Sequence, residues 1–328
     1  MTSDADSPVV LPAPAFYFPI RNGRYDTSPN LFRFNTAFGN GAADGRLLQI
    51  DRDFARYRAN KIACRLERFP KYVAAADLDP DTAEAVARLL CVRAAVEYPD
   101  LFSLEMGQAG AGVLECRLTG ERIVLDARMR LADEGNSYRD TLDALCCQIQ
   151  EDIAVVRRDP DRGDWIAYLH LCAPSFWGAE EKVGKSFTAA HLPVPDFGKV
   201  SAAAHALMET IIHRGPFVRF TWGIALDNRL NQHPKPPPGI LSAGDLRNSF
   251  DPTQSPVYFR VERQTLWGIP EVEAFLFTIR VYVYDISDVY ADEQRRQTLR
   301  SALSSMSPEA EAYKGLQKIR SQIIAGLD

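Results

Sequence analysis

The sequence predicts an α+β fold in which an antiparallel sheet packs against helices. Strand-like segments are joined by helices and loops, and two of them form a hairpin early in the chain. Apolar residues alternate along these segments, which is typical of strands with one face more buried than the other. Helices with recognisable start and stop signals lie before, between and after the strands.

The first half of the chain predicts an arm, two helices and the hairpin. Residues 1–45 are rich in Pro, Gly, Asn and aromatic residues, which indicates an extended arm packed on the body. Helices are expected over 51–66 and 80–98, the second with Asp79 as its N-cap and Pro80 at its first position. Residues 113–118 and 122–126 flank a turn and predict the hairpin. The apolar spacing then predicts one helix from Asn136 or Ser137 to about residue 158.

The second half predicts the remaining sheet. Strands are expected over 165–172, 217–225, 258–266 and 275–284. A loop over 173–198, a helix over 201–213 and a Pro-rich loop over 231–256 separate them. Helices over 292–304 and 307–327 follow. We therefore expect an extended arm (1–45), one domain with a helical N-terminal elaboration (46–285) and C-terminal helices (286–328).

Composition excludes several classes of protein. The 328 residues include 38 Lys and Arg against 43 Asp and Glu, a formal net charge of -5, which argues against a general nucleic-acid binder. No apolar run approaches the ~20 residues of a membrane helix, and no basic segment precedes an apolar one at the N-terminus. We expect a soluble cytoplasmic protein with neither nucleic acid nor membrane as a partner.

Sequence motifs exclude further activities. The chain has no G-x-S-x-G, H-E-x-x-H or Gly-rich phosphate loop, so the usual support for hydrolase, kinase and nicotinamide dehydrogenase functions is missing. The six cysteines form no C-x-x-C pair, so a zinc or iron–sulfur site is not expected. They are expected to pack as free thiols.

His191 is the most informative of the five histidines. It precedes Pro193 and Pro195, which fix φ and stiffen the backbone after the imidazole. A rigid, partly apolar loop is what a single axial ligand to a large flat cofactor requires. A buried structural histidine is the alternative. His170 lies in an apolar strand and is expected to be a hydrogen-bonded core residue.

Charged residues on the predicted strands provide a second indication. Arg263 shares an apolar face with Val261, so it should have an anionic partner, either a protein carboxylate or one of a ligand. Glu262 points the other way beside Arg260, in a surface ion pair or, if that face lines a cavity, as an anchor for a cationic substrate. Arg219 is either solvated or, in a pocket, a hydrogen-bond donor to bound oxygen or substrate.

Taken together, these segments resemble the haem-dependent oxidative N-demethylase alpha-subunit family. The resemblance spans roughly residues 16–285 and is carried, in order, by 50–51 (ID), 97–100 (EYPD), 150–155 (QEDIAV), Trp165, 172–177 (CAPSFW), 181–184 (EKVG), 191–195 (HLPVP), 215–216 (GP) with Arg219 and Trp222, 260–266 (RVERQTL) and 277–280 (FTIR).

The resemblance implies both a fold and an activity. The fold is a PAS-like antiparallel sheet with helical N- and C-terminal additions. The cofactor is haem b, whose iron is bound by the histidine that corresponds to His191. The activity is oxidation of dimethylamine, or a similar small secondary amine, by oxygen to a primary amine and formaldehyde. Electrons come from NADPH through a partner reductase subunit that carries flavin and an iron–sulfur cluster, which makes a hetero-oligomer the expected assembly.

The same resemblance suggests roles for other residues. Arg219 and Glu262 are the expected catalytic residues, with Arg219 acting on oxygen. Lys185 or Arg263 would bind the haem carboxylates, and Trp222 would help to exclude water around the macrocycle, together with Phe217, Phe259 and Phe277. The alternative function is a haem-based gas or redox sensor of the PAS type. Two C-terminal helices are too small for a sensor output domain, which favours the enzyme.

Overall fold

A computed structural model gives the structure, which describes residues 9–107, 110–133, 137–192, 194–195 and 203–326. The fold is α+β, as the sequence predicts, with a seven-stranded and a three-stranded antiparallel sheet. The strands are β1 (Phe32–Arg33), β2 (Val73–Ala75), β3 (Phe102–Met106), β4 (Gly112–Cys116), β5 (Glu121–Leu125), β6 (Asp152–Asp159), β7 (Gly163–His170), β8 (Phe217–Ala225), β9 (Tyr258–Ile269) and β10 (Ala274–Asp285). The large sheet has the order β1-β8-β9-β10-β6-β7-β2, and the small sheet the order β3-β4-β5.

The helices of the described residues surround the large sheet. They are α1 (Phe54–Tyr72), α2 (Pro80–Glu97), α3 (Thr141–Cys146), α4 (Ala179–Lys182), α5 (Phe187–His191), α6 (Ala204–Arg214), α7 (Ala243–Asn248), α8 (Ile286–Tyr290), α9 (Glu293–Ser304), α10 (Pro308–Lys314) and α11 (Arg320–Ala325). None of them is long and apolar enough to cross a membrane.

Local signals in the sequence predict several of these elements correctly. Helix α2 begins after Asp79, whose carboxylate accepts hydrogen bonds from the backbone N–H groups of Asp81 and Thr82. The predicted hairpin is β4–β5, and the predicted strand over 217–225 is β8. Between residues 9 and 45 the chain forms the two-residue strand β1 and one short 3₁₀ helix (Gly41–Gly45), and Tyr17 packs its ring 5.5 Å from that of Tyr282.

The single helix predicted over 137–158 is wrong. Helix α3 ends at Cys146, and the chain then forms β6, which pairs with β7 and β10. Residues 152–156 are buried on both faces of the sheet, so their apolar run has no period that separates a strand from a helix. The N-cap of α3 is Asp140 rather than Ser137. Asn136, the other predicted cap, lies outside the described residues.

Other differences between the predicted and the observed elements concern loops and the ends of helices. The predicted loops over 173–198 and 231–256 contain α4, α5 and α7. The predicted last helix is two helices, because Gly315 adopts φ +64° and ends α10. Ser201, the predicted start of α6, lies outside the described residues.

Strand alternation divides the large sheet into two faces that matter for function. On β8 and β9, Arg219 lies opposite Gln264 and Thr221 opposite Glu262. We call this the pocket face, and helices α4, α5 and α6 pack towards it. Phe220 with Arg263, and Trp222 with Val261, point to the other face. The N-terminal arm and the C-terminal helices cover it there, so we call it the arm face.

Candidate functional site

His191 is the last residue of α5, a short helix whose first turn is capped by the Ser186 hydroxyl. The imidazole Nδ1 lies 2.8 Å from the carbonyl oxygen of Phe187. Because a carbonyl only accepts hydrogen bonds, Nδ1 carries the proton and Nε2 carries the lone pair. Burial lowers the pKa of His191 to about 4, and the positive charges of Lys182 and Arg219 act in the same direction. The ring is therefore neutral at pH 7, the form in which histidine binds metals.

Glu262 is the carboxylate of the pocket face. Its side chain accepts hydrogen bonds from Gln264 Nε2 at 2.7 Å and from Thr221 Oγ1 at 3.3 Å, both to the same oxygen, Oε2. Glu262 is only 7% exposed. Two neutral donors therefore orient a nearly buried carboxylate, a kind of group that can bind a cation.

Arg219 lies on the same face of β8. Its Nε is buried and forms no hydrogen bond with any described residue. Burial lowers the pKa of this guanidinium, and the charge of Glu262 opposes the effect. A buried guanidinium nitrogen without an acceptor is costly in a folded protein and indicates a position at which a ligand can accept a hydrogen bond.

Two lysines that are distant in the sequence, Lys182 and Lys314, both interact with the charge of Glu262. Lys182, at the end of α4, places its Nζ 4.2 Å from the centroid of the Trp177 ring and interacts with the charge of Glu262. Lys314, at the end of α10, donates a hydrogen bond from Nζ to the carbonyl of Trp222 at 2.8 Å and also interacts with Glu262. Burial lowers the pKa of each lysine to about 8.

Apolar side chains beside these charges are incompletely covered. Phe277 lies on β10, the central strand of the large sheet, yet it is only partly buried. The same holds for other apolar residues around the core of the pocket face, namely Trp177, Val183, Phe187, Leu207 and Val283. The described chain therefore leaves an apolar surface beside a histidine and a cluster of charges.

The structure separates the predicted site residues into two groups. His191, Arg219 and Glu262 come together on the pocket face, where the charge of Arg219 acts on both of the others. Arg263 and Trp222 do not join them, since strand alternation turns both to the arm face. Their predicted roles in cofactor binding therefore gain no support from this arrangement and remain predictions.

Arg263 and Trp222 make their contacts on the arm face. Arg263 donates to Thr265 Oγ1 and to the carbonyls of Asp44 and Arg46 at 3.0–3.2 Å, so its partners are neutral acceptors rather than the expected anion. Trp222 packs its ring 5.7 Å from those of Tyr25 and Phe259. Both residues attach the N-terminal region to the sheet.

The structure also shows the surroundings of Lys185 and Arg260. Lys185 is exposed, and its backbone carbonyl accepts a hydrogen bond from Ile166 N–H, so a role in cofactor binding remains a prediction. The suggested surface ion pair between Glu262 and Arg260 is wrong, because both side chains are buried. Arg260 donates to Ser175 Oγ and to the carbonyls of Ala173, Pro174, Arg229 and Leu230, and its charge also interacts with that of Glu262.

His170 is the core histidine that the sequence predicts. It is fully buried, and its Nε2 lies 3.3 Å from Asp143 Oδ1. Burial disfavours the charged imidazole, but the Cys172 sulfur and the Asp143 carboxylate outweigh this effect and raise the pKa of His170 to about 9. Asp143 also accepts two hydrogen bonds from Arg65, at 2.9 and 3.0 Å. These contacts make a structural ion network, and the six cysteines are free and buried.

Sequence reasoning missed the two lysines. Lys182 lies in a segment that carries the family resemblance, but nothing in its neighbours indicates that it faces Glu262. Lys314 belongs to a C-terminal helix that the sequence presents only as an addition to the domain. Its position depends on how α10 packs against the edge of β8, for which no local signal exists.

One comparison with known proteins bears on this site. The family model described as "Haem-dependent oxidative N-demethylase, alpha subunit-like" matches residues 41–324, and the chain belongs to that family. The family name implies haem, and the residues of the site fit this group. A neutral histidine can ligate iron, the surplus of cations suits carboxylates, and the half-covered aromatic surface suits a planar macrocycle.

Proposed function

We propose that this member of the family is the haem-binding catalytic subunit of an enzyme that demethylates a small secondary amine such as dimethylamine. Haem, when bound, supplies the oxidation chemistry. The balanced reaction consumes dimethylamine, oxygen, two electrons and two protons, and it yields methylamine, formaldehyde and water. The observation that carries this proposal is the neutral His191 beside Arg219 and Glu262 in a chain of this family.

His191 is proposed as the iron ligand, through Nε2. The hydrogen bond from Nδ1–H to the Phe187 carbonyl fixes the tautomer and the orientation of the ring. Such an outer partner also makes the ligand nitrogen more basic. Because the imidazole is already neutral at pH 7, ligation requires no loss of a proton there.

Glu262 is proposed to bind the amine. A small secondary amine is largely protonated at pH 7, and an ammonium N–H donates to a carboxylate in a charge-assisted hydrogen bond. Thr221 and Gln264 hold the carboxylate in place through Oε2. A substrate held in this way has its methyl group at a fixed position, so that orientation contributes to the rate.

Arg219 is proposed to donate hydrogen bonds to oxygen or to the oxygen-containing product. A guanidinium has five donors and no acceptor, and it keeps its proton at any physiological pH. In a site that excludes water, such a donor stabilises developing negative charge more strongly than water does. The half-buried apolar residues around it would be covered once the pocket is filled.

The electrons are proposed to come from another chain. The sequence contains no motif for flavin, nicotinamide or an iron–sulfur cluster, so a partner reductase that carries them and oxidises NADPH is the inferred source. A PAS-like topology of the large sheet, predicted from the resemblance, remains part of the proposal.

The test is spectroscopic and enzymatic. Protein produced with a haem supply is compared with His191→Ala and with His205→Ala, an exposed histidine of α6 that serves as a matched control. We expect a Soret band near one haem per chain in the wild type and in H205A, and its loss or shift in H191A. The wild type should release formaldehyde from dimethylamine in the presence of a reductant and oxygen, whereas H191A should not. A folded wild type that binds no haem would refute the proposal, and a haem protein without amine turnover would leave the sensor function instead.

A further inference from the structure

Two lysines and two arginines interact with one carboxylate of the pocket face. Arg219, Arg260, Lys182 and Lys314 come from two strands and two separate helices, and each interacts with the charge of Glu262. The charge of Glu181 also acts on Lys182. Within the described ranges of the chain, none of the four cations has a carboxylate within ion-pair distance. The site therefore carries more positive than negative charge.

Lys314 is held in place by the fold. Helix α10 ends beside the edge of β8, where β1 pairs only with Phe217 and Val218 and leaves the rest of that strand edge without a neighbouring strand among the described residues. The Lys314 ammonium donates to the Trp222 carbonyl on this edge. Arg247 donates to the Lys314 carbonyl at 3.3 Å and stacks over the Phe176 ring, which fixes the end of α10.

The buried lysines of the chain behave differently. Lys71 pairs with Glu67 at 2.6 Å, and Lys61 lies 3.7 Å from Asp152. These lysines have anionic partners, as buried charges in proteins normally do. Lys182 and Lys314 are partly buried and have no carboxylate within ion-pair distance among the described residues. Burial lowers the pKa of both, and the charge of Arg219 acts on Lys314 in the same direction. Such an arrangement costs stability in the protein alone and suits a negatively charged ligand.

We propose that Lys314 and Lys182 bind the two carboxylates of haem, so that helix α10 is part of the cofactor site rather than a peripheral addition. The inference rests on the proposed function. Two carboxylates balance the excess charge and leave Arg219 and Glu262 for oxygen and amine. Ammonium groups in a partly desolvated site form strong hydrogen bonds with carboxylates.

The experiment measures haem affinity while two partners are changed separately and together. The lysine is replaced in the protein, and the carboxylates are esterified in the haem. Haem and haem dimethyl ester, in which both carboxylates are esterified, are titrated into the apoproteins of the wild type, Lys314→Met and Lys182→Met. Lys318→Met is the control, since Lys318 is exposed on the same segment and binds only Asn248. Lys314→Arg keeps the charge. Urea denaturation of each apoprotein reports its stability without ligand.

We expect K314M and K182M each to weaken haem binding about tenfold, the effect of one lost hydrogen bond between charged groups. K318M should bind like the wild type, and K314R should keep most of the affinity. The ester should bind the wild type more weakly than haem, and this preference should shrink in K314M and K182M. Apo K314M should be as stable as the wild type or more so, because a buried charge is removed.

The two proposals fail in different ways. If the wild type binds haem and K314M and K182M bind it equally well, or if they keep the full preference for haem over the ester, the carboxylate role of the lysines is refuted while the haem function stands. A loss of affinity in K314M that is accompanied by loss of apoprotein stability and is equal for haem and ester would also refute it. If the folded wild type binds no haem, the proposed function and this inference both fall.

Discussion

Replacing Gly268 by alanine should displace helix α6 from the large sheet. Gly268 lies on β9 directly beneath the end of α6. An ideal Cβ at this position would lie 2.7 Å from the carbonyl oxygen of Ile211 and even closer to that of Ile212. Both obstacles are backbone atoms, so no side-chain rotation can relieve the contact. Helix α6 carries Met208, Ile211 and Ile212 into the core of the pocket face, so the whole contact must move.

The expected destabilisation follows from the size of the overlap. Non-bonded atoms reach an optimal separation at ~3.5 Å, so the end of α6 must shift by roughly 1.5 Å to clear the carbonyl oxygen of Ile212. Overpacking of a core costs about 1–3 kcal/mol, and rigid backbone on the opposing side places this substitution near the upper end. For 328 residues, an unfolding entropy of ~2.1 cal/mol/K per residue gives ~1.5 °C per kcal/mol, so a loss of about 3 kcal/mol lowers Tm by roughly 4–5 °C.

Gly223→Ala provides the matched control. Gly223 lies on the neighbouring strand β8, and an added Cβ there meets no atom within 4 Å. Alanine at this position should change Tm by less than about 1 °C, or raise it slightly, because glycine is the more flexible residue in the unfolded chain. Thermal unfolding followed by circular dichroism, together with urea denaturation, measures both variants. Equal stabilities of G268A and G223A would refute the close packing of α6 on β9.

Two further predictions concern buried carboxylates. Glu151 is fully buried with one oxygen unpartnered, and burial raises its pKa to about 7 from 4.5 in the unfolded chain. The native protein therefore loses stability as pH rises from 4.5 to 7, by about 3 kcal/mol, and Glu151→Gln should remove this loss. Urea denaturation of both proteins at pH 4.5 and 8 tests this, and a stability difference that does not change with pH would contradict it. In the candidate site, Glu262→Gln should raise KM for dimethylamine roughly tenfold or more with a smaller effect on kcat, since the charge that we propose to bind the ammonium is lost. Initial rates of formaldehyde release against amine concentration measure the effect, and an unchanged KM would show that Glu262 does not bind the amine.

Elements with local signals were predictable from the sequence. The N-cap Asp79 and the following Pro80 define the start of α2, and the turn 119–121 defines the β4–β5 hairpin, because each signal acts within a few residues. The segment that forms α3 and β6 was not predictable in this way. Its buried residues lie between two neighbouring strands and two covered faces, so their sequence carries no period that identifies a strand.

The candidate site, too, could be predicted only in part from the sequence. The period of the strands is sufficient to place Glu262 on the face opposite that of Arg263, and Arg219 on the face opposite that of Trp222. It does not say which of the two faces could bind a ligand. The family resemblance predicts His191 as the iron ligand, and the tertiary structure adds its hydrogen bond to Phe187 and the burial that lowers its pKa.

The sequence by itself therefore determined the α+β class, most strands and helices, and the family, since these depend on short-range patterns and on a set of ordered motifs. Only the tertiary structure decided that α5, which carries His191, packs towards the face shared by Arg219 and Glu262. It also decided that Lys314, on a C-terminal helix, interacts with the charge of Glu262. Contacts of this kind depend on how distant segments pack around a shared sheet edge, and no local pattern of side chains records that packing.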